Sequence, residues 1–221
     1  MYKQFGIYVA GEWRQAKSGA KAAVISPVTG ASLGEAPIAD VADTEEALHA
    51  AEAGLKAWRA TPAFTRADAL HAIADEIIRR AGEAARMISS ETGKPFAQAQ
   101  REWSLCIDQF RWYAEEARRI YGRIVESRVP GGRFEVSHQP VGIAAAFTAW
   151  NFPAALIGRK VAPALAACKA YSVGHGRMRK GSRQLLICCN VPRRQVGRPS
   201  SSITPSSHRR IKRQRPTIAG G

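Results

Sequence analysis

The segment 141–156, with the sequence VGIAAAFTAWNFPAAL, decides the fold of this chain. Its first part is a continuous run of small and apolar residues, which is typical of a strand buried on both faces of a parallel sheet. Helical character follows over 153–168, and Pro153 is tolerated in the first turn of a helix. Trp150 and Asn151 therefore lie in the turn between a buried strand and the helix that follows it. This order of elements predicts an α/β fold.

Helical periodicity covers most of the chain before this segment. Asp43 and Glu46 resemble a capping box at the start of a first helix, and Thr65 with Asp68 indicates a second start. Further helices are predicted over 82–92 and 96–121. The last of these carries four large apolar residues that we expect in the core: Leu105, Phe110, Trp112 and Tyr113.

Two other regions indicate strands. The first 40 residues alternate short apolar runs with turn residues, such as PVTG at 27–30, which predicts a small antiparallel sheet. Residues 123–139 contain RIVES and RFEVSHQ on either side of VPGG at 129–132. This pattern predicts a hairpin that stands apart from the helices.

The positive charge is concentrated at one end of the chain. The formal net charge is +15, yet residues 1–168 carry 20 basic and 18 acidic residues, whereas residues 169–221 carry 13 basic residues and no acidic one. This 169–221 tail is rich in Arg, Ser, Pro and Gly and has no sustained helical or strand period. The net positive charge of the whole chain therefore comes almost entirely from the tail.

Three interpretations of the tail remain open. A basic arm can bind nucleic acid or acidic partners by neutralising phosphates. Against this, Tyr171 is its single aromatic residue, and single-strand binders usually stack bases on several aromatics. A solvated tail without function is the second interpretation. The third is a frameshift after Cys168, which the composition favours because out-of-frame GC-rich DNA encodes Arg, Pro, Ser and Gly without acidic residues.

Localisation and redox state follow from simple patterns. The first residues lack the features of a secretory signal, and the apolar run 153–168 is too short to span a bilayer. A cytoplasmic protein without a membrane partner is predicted. The four cysteines are Cys106, Cys168, Cys188 and Cys189, and neither a disulfide framework nor metal-ligand spacing is present.

Several motifs in this order resemble the N-terminal portion of the aldehyde dehydrogenase superfamily, in particular its succinate-semialdehyde dehydrogenase branch. They are YVAGEW at 8–13, SPVTGASLGEAP at 26–37, EEALHAAEAGLKAWRATPAFTRADAL at 45–70, ETGKP at 91–95, QPVGIAAAFTAWNFPAAL at 139–156 and RKVAPALAAC at 159–168. The combination is specific, although each piece alone would be weak.

The resemblance implies an incomplete aldehyde dehydrogenase fold. Residues 1–168 would form the N-terminal part of the dinucleotide-binding domain, and the hairpin 123–139 would be the arm through which relatives form homo-oligomers. The departure from the family falls between Cys168 and Lys169. Residues 169–221 would then be a low-order basic tail unrelated to the family.

The resemblance also assigns a catalytic role to Asn151. Its amide matches the family asparagine that helps to hold the oxyanion formed when a cysteine thiolate attacks an aldehyde. That chemistry requires a neutral, fixed donor where negative charge develops. From the residues alone, an asparagine in this turn fits a helix N-cap equally well.

Neighbouring residues receive roles in the same way. Thr148, Ala149 and Trp150 match the segment that lies against NAD or NADP, and Phe152 would wall the aldehyde tunnel. Core packing is the alternative for the two aromatic residues. Lys160 matches a family lysine near the active centre, with a solvated helix face as its alternative. No metal is implied.

The parts that the resemblance does not supply decide the expected activity. No position matches the catalytic cysteine or the general-base glutamate, and Cys188 and Cys189 lie in the unmatched tail. The parent chemistry is NAD(P)-dependent oxidation of an aldehyde to a carboxylate, and this chain is predicted to be inactive alone. The alternative is a non-catalytic fragment whose basic tail binds nucleic acid or acidic partners.

Overall fold

A computed structural model describes residues 6–167, 170–175 and 187–188, all within one compact unit that spans 1–191. Four helices are present in this part of the chain: α1 (Val41–Arg59), α2 (Ala63–Thr92), α3 (Phe96–Ala117) and α4 (Ala155–Ala166). The strands are β1 (Ile7–Val9), β2 (Glu12–Arg14), β3 (Lys21–Ile25), β4 (Ser32–Pro37), β5 (Arg123–Glu126), β6 (Arg133–Val136), β7 (Ile143–Thr148), β8 (Ala170–His175) and β9 (Ile187–Cys188). The predicted α/β class is confirmed.

A five-stranded mixed sheet has the order β2-β1-β9-β8-β7. Strands β7 and β8 pair in parallel, from Ile143 opposite Ala170 to Thr148 opposite His175. Helix α4 connects them, so β7-α4-β8 is a βαβ unit of the kind that a parallel pair requires. The predicted strand and helix around Asn151 are therefore present, and they meet over residues 149–154. The expectation that the strand is buried on both faces was wrong, because β7 is at the edge of this sheet and its residues Ala145 and Phe147 are exposed.

Two antiparallel hairpins lie outside this sheet. The first 40 residues form two separate pairs, since β1–β2 joins the large sheet while β3–β4 stands alone. The predicted hairpin within 123–139 consists of β5 and β6, paired from Arg123 opposite Val136 to Glu126 opposite Arg133. Every residue of β5 is exposed, so this hairpin stands out from the core as its sequence predicts.

Strands β8 and β9 lie within 169–221, where the sequence shows no sustained period. Backbone N–H and C=O groups make the ladder with β7, and such pairing does not depend on alternating side chains. The other residues of the tail lie outside the described part of the chain, as do the interpretations that rest on them.

The largest core lies between α2, α3, α4 and β7, and it is built mostly from small residues. Alanines dominate the buried positions, with Leu70, Phe110 and Leu165 among the larger side chains. At Gly158 a Cβ atom would lie 2.9 Å from Cys106 Sγ and 3.3 Å from Cys106 Cα. The absence of a side chain at Gly158 therefore allows α4 to approach α3 closely.

Two helix starts differ from the sequence prediction. Helix α1 does begin with a capping box, but Asp40 is its N-cap and Asp43 is the third helical residue that completes the box. The predicted capping box of Asp43 and Glu46 was therefore three residues too far toward the C-terminus. Helix α2 begins at Ala63 after Pro62 without a side-chain cap, and it runs unbroken to Thr92 instead of restarting near residue 82.

The predicted core residues of α3 separate into two groups. Phe110 is buried and Tyr113 packs against the core, as expected. The prediction was wrong for Leu105 and for Trp112, whose exposed fraction is 65%. The buried stripe follows Cys106, Phe110 and neighbouring alanines, and Trp112, two residues beyond Phe110, lies on the opposite side of the helix.

Candidate active site

The turn after β7 contains the residues that the resemblance singled out. Thr148 is the last residue of β7 and is buried, whereas Ala149, Trp150, Asn151 and Phe152 follow it and are exposed. Ligands of parallel sheets bind in the crevice beyond the carboxyl ends of the strands. The turn occupies this position relative to β7, and its exposed groups are accessible there.

Asn151 does not cap the following helix. The N-cap position of helix α4 is occupied by Ala154, and no side chain at this position caps the helix. The interpretation of Asn151 as the N-cap is therefore wrong. The backbone carbonyl of Asn151 accepts a hydrogen bond of 3.0 Å from Lys94 Nζ. The backbone of Asn151 is thus held while its side chain is exposed, an arrangement compatible with a donor for an external oxyanion.

The start of α4 is capped instead by Glu102, a residue of α3. Glu102 Oε1 accepts hydrogen bonds from the backbone nitrogens of Ala154, at 2.8 Å, and Ala155, at 3.2 Å. A carboxylate at a helix N-terminus satisfies free N–H groups and interacts favourably with the helix dipole. The exposed fraction of Glu102 is 1%, so this carboxylate is inside the protein.

Lys94 completes the group around the turn. Its ammonium lies 2.5 Å from Glu102 Oε2 and 4.1 Å from the centroid of the Phe152 ring. A cation over an aromatic face is attracted by the ring quadrupole. Lys94 therefore contacts Glu102, the Asn151 carbonyl and the Phe152 ring at once, and it belongs to the ETGKP segment of the sequence.

Sequence reasoning singled out neither Lys94 nor Glu102. A signal for Glu102 was available, because it lies on the same helical stripe as the buried residues Ala99, Cys106 and Phe110. A carboxylate on the apolar face of a helix needs a partner, since a buried charge is costly unless it is paired and hydrogen-bonded. Lys94 lies between two helices in the ETGKP motif, which indicated the family but assigned no role to the lysine.

The opposite end of α4 is held by two other side chains. Trp58 Nε1 donates a 2.9 Å hydrogen bond to the carbonyl of Leu165, and Arg66 Nε donates one of 3.2 Å to the carbonyl of Ala166. Arg66 also binds the carbonyl of Thr61 through Nη1 at 2.6 Å. A cation near a helix C-terminus interacts favourably with the dipole, so α4 has complementary charges at its two ends.

The remaining candidates fit less well. Burial raises the pKa of the Cys106 thiol to about 12, although a hydrogen bond with the backbone of Gly158 opposes the shift. Since the thiolate is the nucleophile, Cys106 is unsuited to attack a carbonyl. Lys160 is exposed on α4, and among the described residues no group of three or more His, Cys, Asp and Glu side chains could hold a metal ion. None of the helices described here combines the length and apolar character needed to cross a membrane.

Comparisons with known proteins identify the family of this chain. The family model for the aldehyde dehydrogenase family matches residues 13–171. A glutarate-semialdehyde dehydrogenase of Pseudomonas putida is 42% identical over 160 residues, which cover 72% of this chain and 33% of that protein. A succinate semialdehyde dehydrogenase of Acinetobacter baylyi is 42% identical over 159 residues, with the same coverage. The chain thus spans about a third of the length of these relatives.

Solved structures give the same result for the fold. A succinate-semialdehyde dehydrogenase from Burkholderia pseudomallei superposes with a TM-score of 0.76 at 38% identity, covering 78% of this chain and 36% of that one. A 3,6-anhydro-L-galactose dehydrogenase in complex with NAP superposes with a TM-score of 0.75 at 34% identity, covering 79% of this chain and 36% of that one. From the family match over 13–171 and these similarities, the chain belongs to the aldehyde dehydrogenase family.

Proposed function

We propose that this chain carries the oxyanion-binding part of an NAD(P)-dependent aldehyde dehydrogenase, which oxidises an aldehyde to a carboxylate. The observation that supports this most directly is the exposed Asn151 at the carboxyl end of β7, held through its backbone by Lys94. Substrates that carry one carboxylate in addition to the aldehyde, such as succinate or glutarate semialdehyde, are proposed because the names of two relatives contain them.

The proposed role of Asn151 follows from the charge that develops on the substrate. When a thiolate adds to the aldehyde carbon, the C=O π bond breaks and its electron pair moves to the oxygen. The Asn151 amide would donate a hydrogen bond to that oxygen. The amide donates this hydrogen bond without changing its own protonation state. The bond is stronger to the negatively charged oxygen than to the aldehyde carbonyl, so the amide favours the tetrahedral state over the aldehyde.

Thr148, Ala149 and Trp150 are proposed to lie against NAD or NADP. The three residues end β7 and begin the turn, where an open parallel sheet binds ligands, and Ala149 and Trp150 are exposed there. A bound nicotinamide would supply hydride acceptance. Phe152, whose ring is held against Lys94, is proposed to wall the aldehyde tunnel.

A chimera tests the role of Asn151. Residues 1–167 would replace the matching segment of the Pseudomonas putida glutarate-semialdehyde dehydrogenase, and NADH or NADPH formation would be followed. Asn151→Ala should lower kcat about 10²–10³-fold with little change in KM, as the loss of one oxyanion donor does elsewhere. Gln98→Ala, which removes an exposed amide from α3, should leave both constants unchanged. An unchanged kcat in Asn151→Ala would contradict the proposal.

We further propose that the 221-residue chain has no dehydrogenase activity by itself. No residue of the chain matches the catalytic cysteine or the general-base glutamate, and the buried Cys106 is a poor nucleophile. The purified chain, incubated with succinate or glutarate semialdehyde and either cofactor, should form no reduced cofactor. A measurable rate that depends on both enzyme and aldehyde would overturn this.

A frameshift after Cys168 is proposed as the origin of the basic tail. The support is the abrupt change to 13 basic and no acidic residues over 169–221. The nucleotide sequence after codon 168 provides the test. Another frame should encode a continuation with a glutamate and a cysteine at family positions, and the absence of such a continuation in every frame would refute the proposal.

A further inference from the structure

Lys94 and Glu102 form a largely buried ion pair that joins three parts of the chain. Lys94 lies in the connection between α2 and α3, Glu102 is in α3, and their contacts reach the β7–α4 turn. The exposed fractions of the two side chains are 13% and 1%. The pair is therefore shielded from solvent, although it lies directly beneath an exposed turn.

A contribution to the stability of the fold is a weak explanation for the presence of this ion pair. Taking two charges out of water costs several kcal/mol per ion, and replacing a buried ion pair by apolar residues is often neutral or stabilising. What an ion pair adds is direction, since each charged atom needs hydrogen-bond partners at defined distances. Here those partners are the backbone groups of the turn that contains Asn151.

Glu102 determines where α4 begins. Pro153 has no N–H group, so the first donors of this end of the helix are Ala154 and Ala155. Both donate to the same oxygen, Glu102 Oε1. Glu102 thus attaches the first turn of α4 to α3. The attachment begins at Ala154, three residues after Asn151.

Lys94 holds the other side of the same turn. Its ammonium donates to the Asn151 carbonyl at 3.0 Å and lies 4.1 Å from the centre of the Phe152 ring. Two consecutive residues are therefore held by one cation, which is itself bound to Glu102.

We infer that Lys94 and Glu102 are positioning residues, which fix the backbone of Asn151 so that its amide is presented in one orientation at the carboxyl end of β7. This inference rests on the proposed function of Asn151. The pair acts through Asn151 and Phe152, and the structure gives neither of its members a role in the chemistry.

The test measures the position of Asn151 in the full chain by NMR, without using activity. The side-chain amide signal of Asn151 is assigned by its loss in Asn151→Ala. Lys94→Met and Glu102→Gln should each move this signal. Lys94→Arg retains the charge and should restore the signal partly. Lys56→Met and Glu115→Gln remove an exposed lysine and an exposed glutamate, and they should leave it unchanged.

Hydrogen exchange at Ala154 and Ala155 provides the second readout. In Glu102→Ala the two amides lose a charged acceptor, and their exchange should accelerate about 10-fold or more, as expected for a hydrogen bond to a charged group. Exchange in the centre of α2 should not change in the same proportion. If Glu102→Ala does not fold, Glu102→Gln and Lys94→Met provide the comparison, because both replace the side chain by one of similar length.

One result would overturn the inference: an unchanged Asn151 amide signal in Lys94→Met and Glu102→Gln, whether or not the melting temperature falls. That result would mean that the pair only stabilises the fold. The proposed function fails separately, through an unchanged kcat of Asn151→Ala in the chimera. The two failures are therefore distinguishable.

Discussion

Glu102 Oε1 lies 2.8 Å from the backbone nitrogen of Ala154, although 52 residues separate the two in sequence. A side chain of α3 thus does what an N-cap residue usually does within its own helix. The same principle applies at the other end of α4, where Trp58 and Arg66 bind its last carbonyls. Side chains of α1, α2 and α3 therefore supply the hydrogen-bond partners of the free backbone groups at both ends of α4.

Removing Arg66 should destabilise the chain through the C-terminal end of α4. Arg66→Ala leaves the carbonyls of Ala166 and Thr61 without their charged donor, which should lower the free energy of unfolding by about 2–3 kcal/mol. Trp58→Phe removes one hydrogen bond and should cost about 1 kcal/mol. Urea denaturation measures both. Arg86→Ala, at an exposed position of α2, should stay within about 0.5 kcal/mol, and an equal loss there would contradict the explanation.

Two glycines should respond to alanine in opposite directions. Gly158→Ala would bring a Cβ to 2.9 Å from Cys106 Sγ and 3.3 Å from Cys106 Cα, so α3 and α4 must move apart. We expect a loss of about 1–3 kcal/mol in the free energy of unfolding. At Gly82 the added Cβ meets nothing within 4 Å, and Gly82→Ala in helix α2 should gain about 0.5–1 kcal/mol. A stabilising Gly158→Ala would show that the two helices can separate at no cost.

Cys106 should resist alkylation in the native protein. With burial raising its pKa to about 12, very little of the thiol is ionised at neutral pH, and the side chain is also inaccessible. Iodoacetamide should modify Cys106 only after unfolding in urea, as peptide mass spectrometry would show. Modification in native buffer at the rate seen in urea would mean that the α3–α4 interface opens readily.

Surface carboxylates give the chain an expected dependence on acid. The hydrogen bond from His71 is the main cause that holds the pKa of Glu115 below its ordinary value of 4.5, and the hydrogen bond from Lys17 does the same for Glu46. Because these pKa values are lower in the folded state, their stabilising contribution is present above pH 4.5 and is lost as the pH falls through the folded values.

Glu115→Gln and Glu46→Gln should therefore each reduce the loss of stability on acidification, measured as the urea midpoint at successive pH values. The effect should be small and should weaken with added salt, since both groups are exposed. Glu83→Gln at an exposed position of α2 provides the control. A pH dependence that is the same in all three variants would assign the acid sensitivity to other groups.

Local patterns were sufficient for the elements around the site. The continuous apolar run before Trp150 predicted β7, and the segment after Pro153 predicted α4. The turn residues at 129–132 predicted the hairpin of β5 and β6. Each of these signals lies within a few residues of the structure that it specifies, which explains why the sequence alone revealed them.

The cap of α1 shows where a local pattern becomes ambiguous. Asp40, Asp43 and Glu46 are acidic residues spaced by three, so two overlapping capping boxes fit the same segment. The structure selects the first, and Asp43 is buried where it binds Arg14 Nη1 at 3.2 Å and the backbone nitrogen of Lys17. The contacts of Asp43 with Arg14 and with the backbone of Lys17 distinguish the two registers.

The contacts around Asn151 could not be predicted from spacing. Lys94 lies 57 residues before Asn151, and nothing in the local sequence of either residue refers to the other. The anomaly of a glutamate on the buried stripe of α3 indicates that a partner exists, without saying which one. The identity of the partner emerges only when the β7–α4 turn meets α3.

Helix α4 is held at one end by Glu102 and at the other by Trp58, which is 107 residues away from the carbonyl that it binds. Contacts of such high sequence separation form late in folding, because a long loop must close before they contribute. During synthesis α1, α2 and α3 leave the ribosome well before α4, and domains fold from the N-terminus as they emerge. We therefore expect the three earlier helices to assemble first and to serve as the template on which the Asn151 turn acquires its geometry.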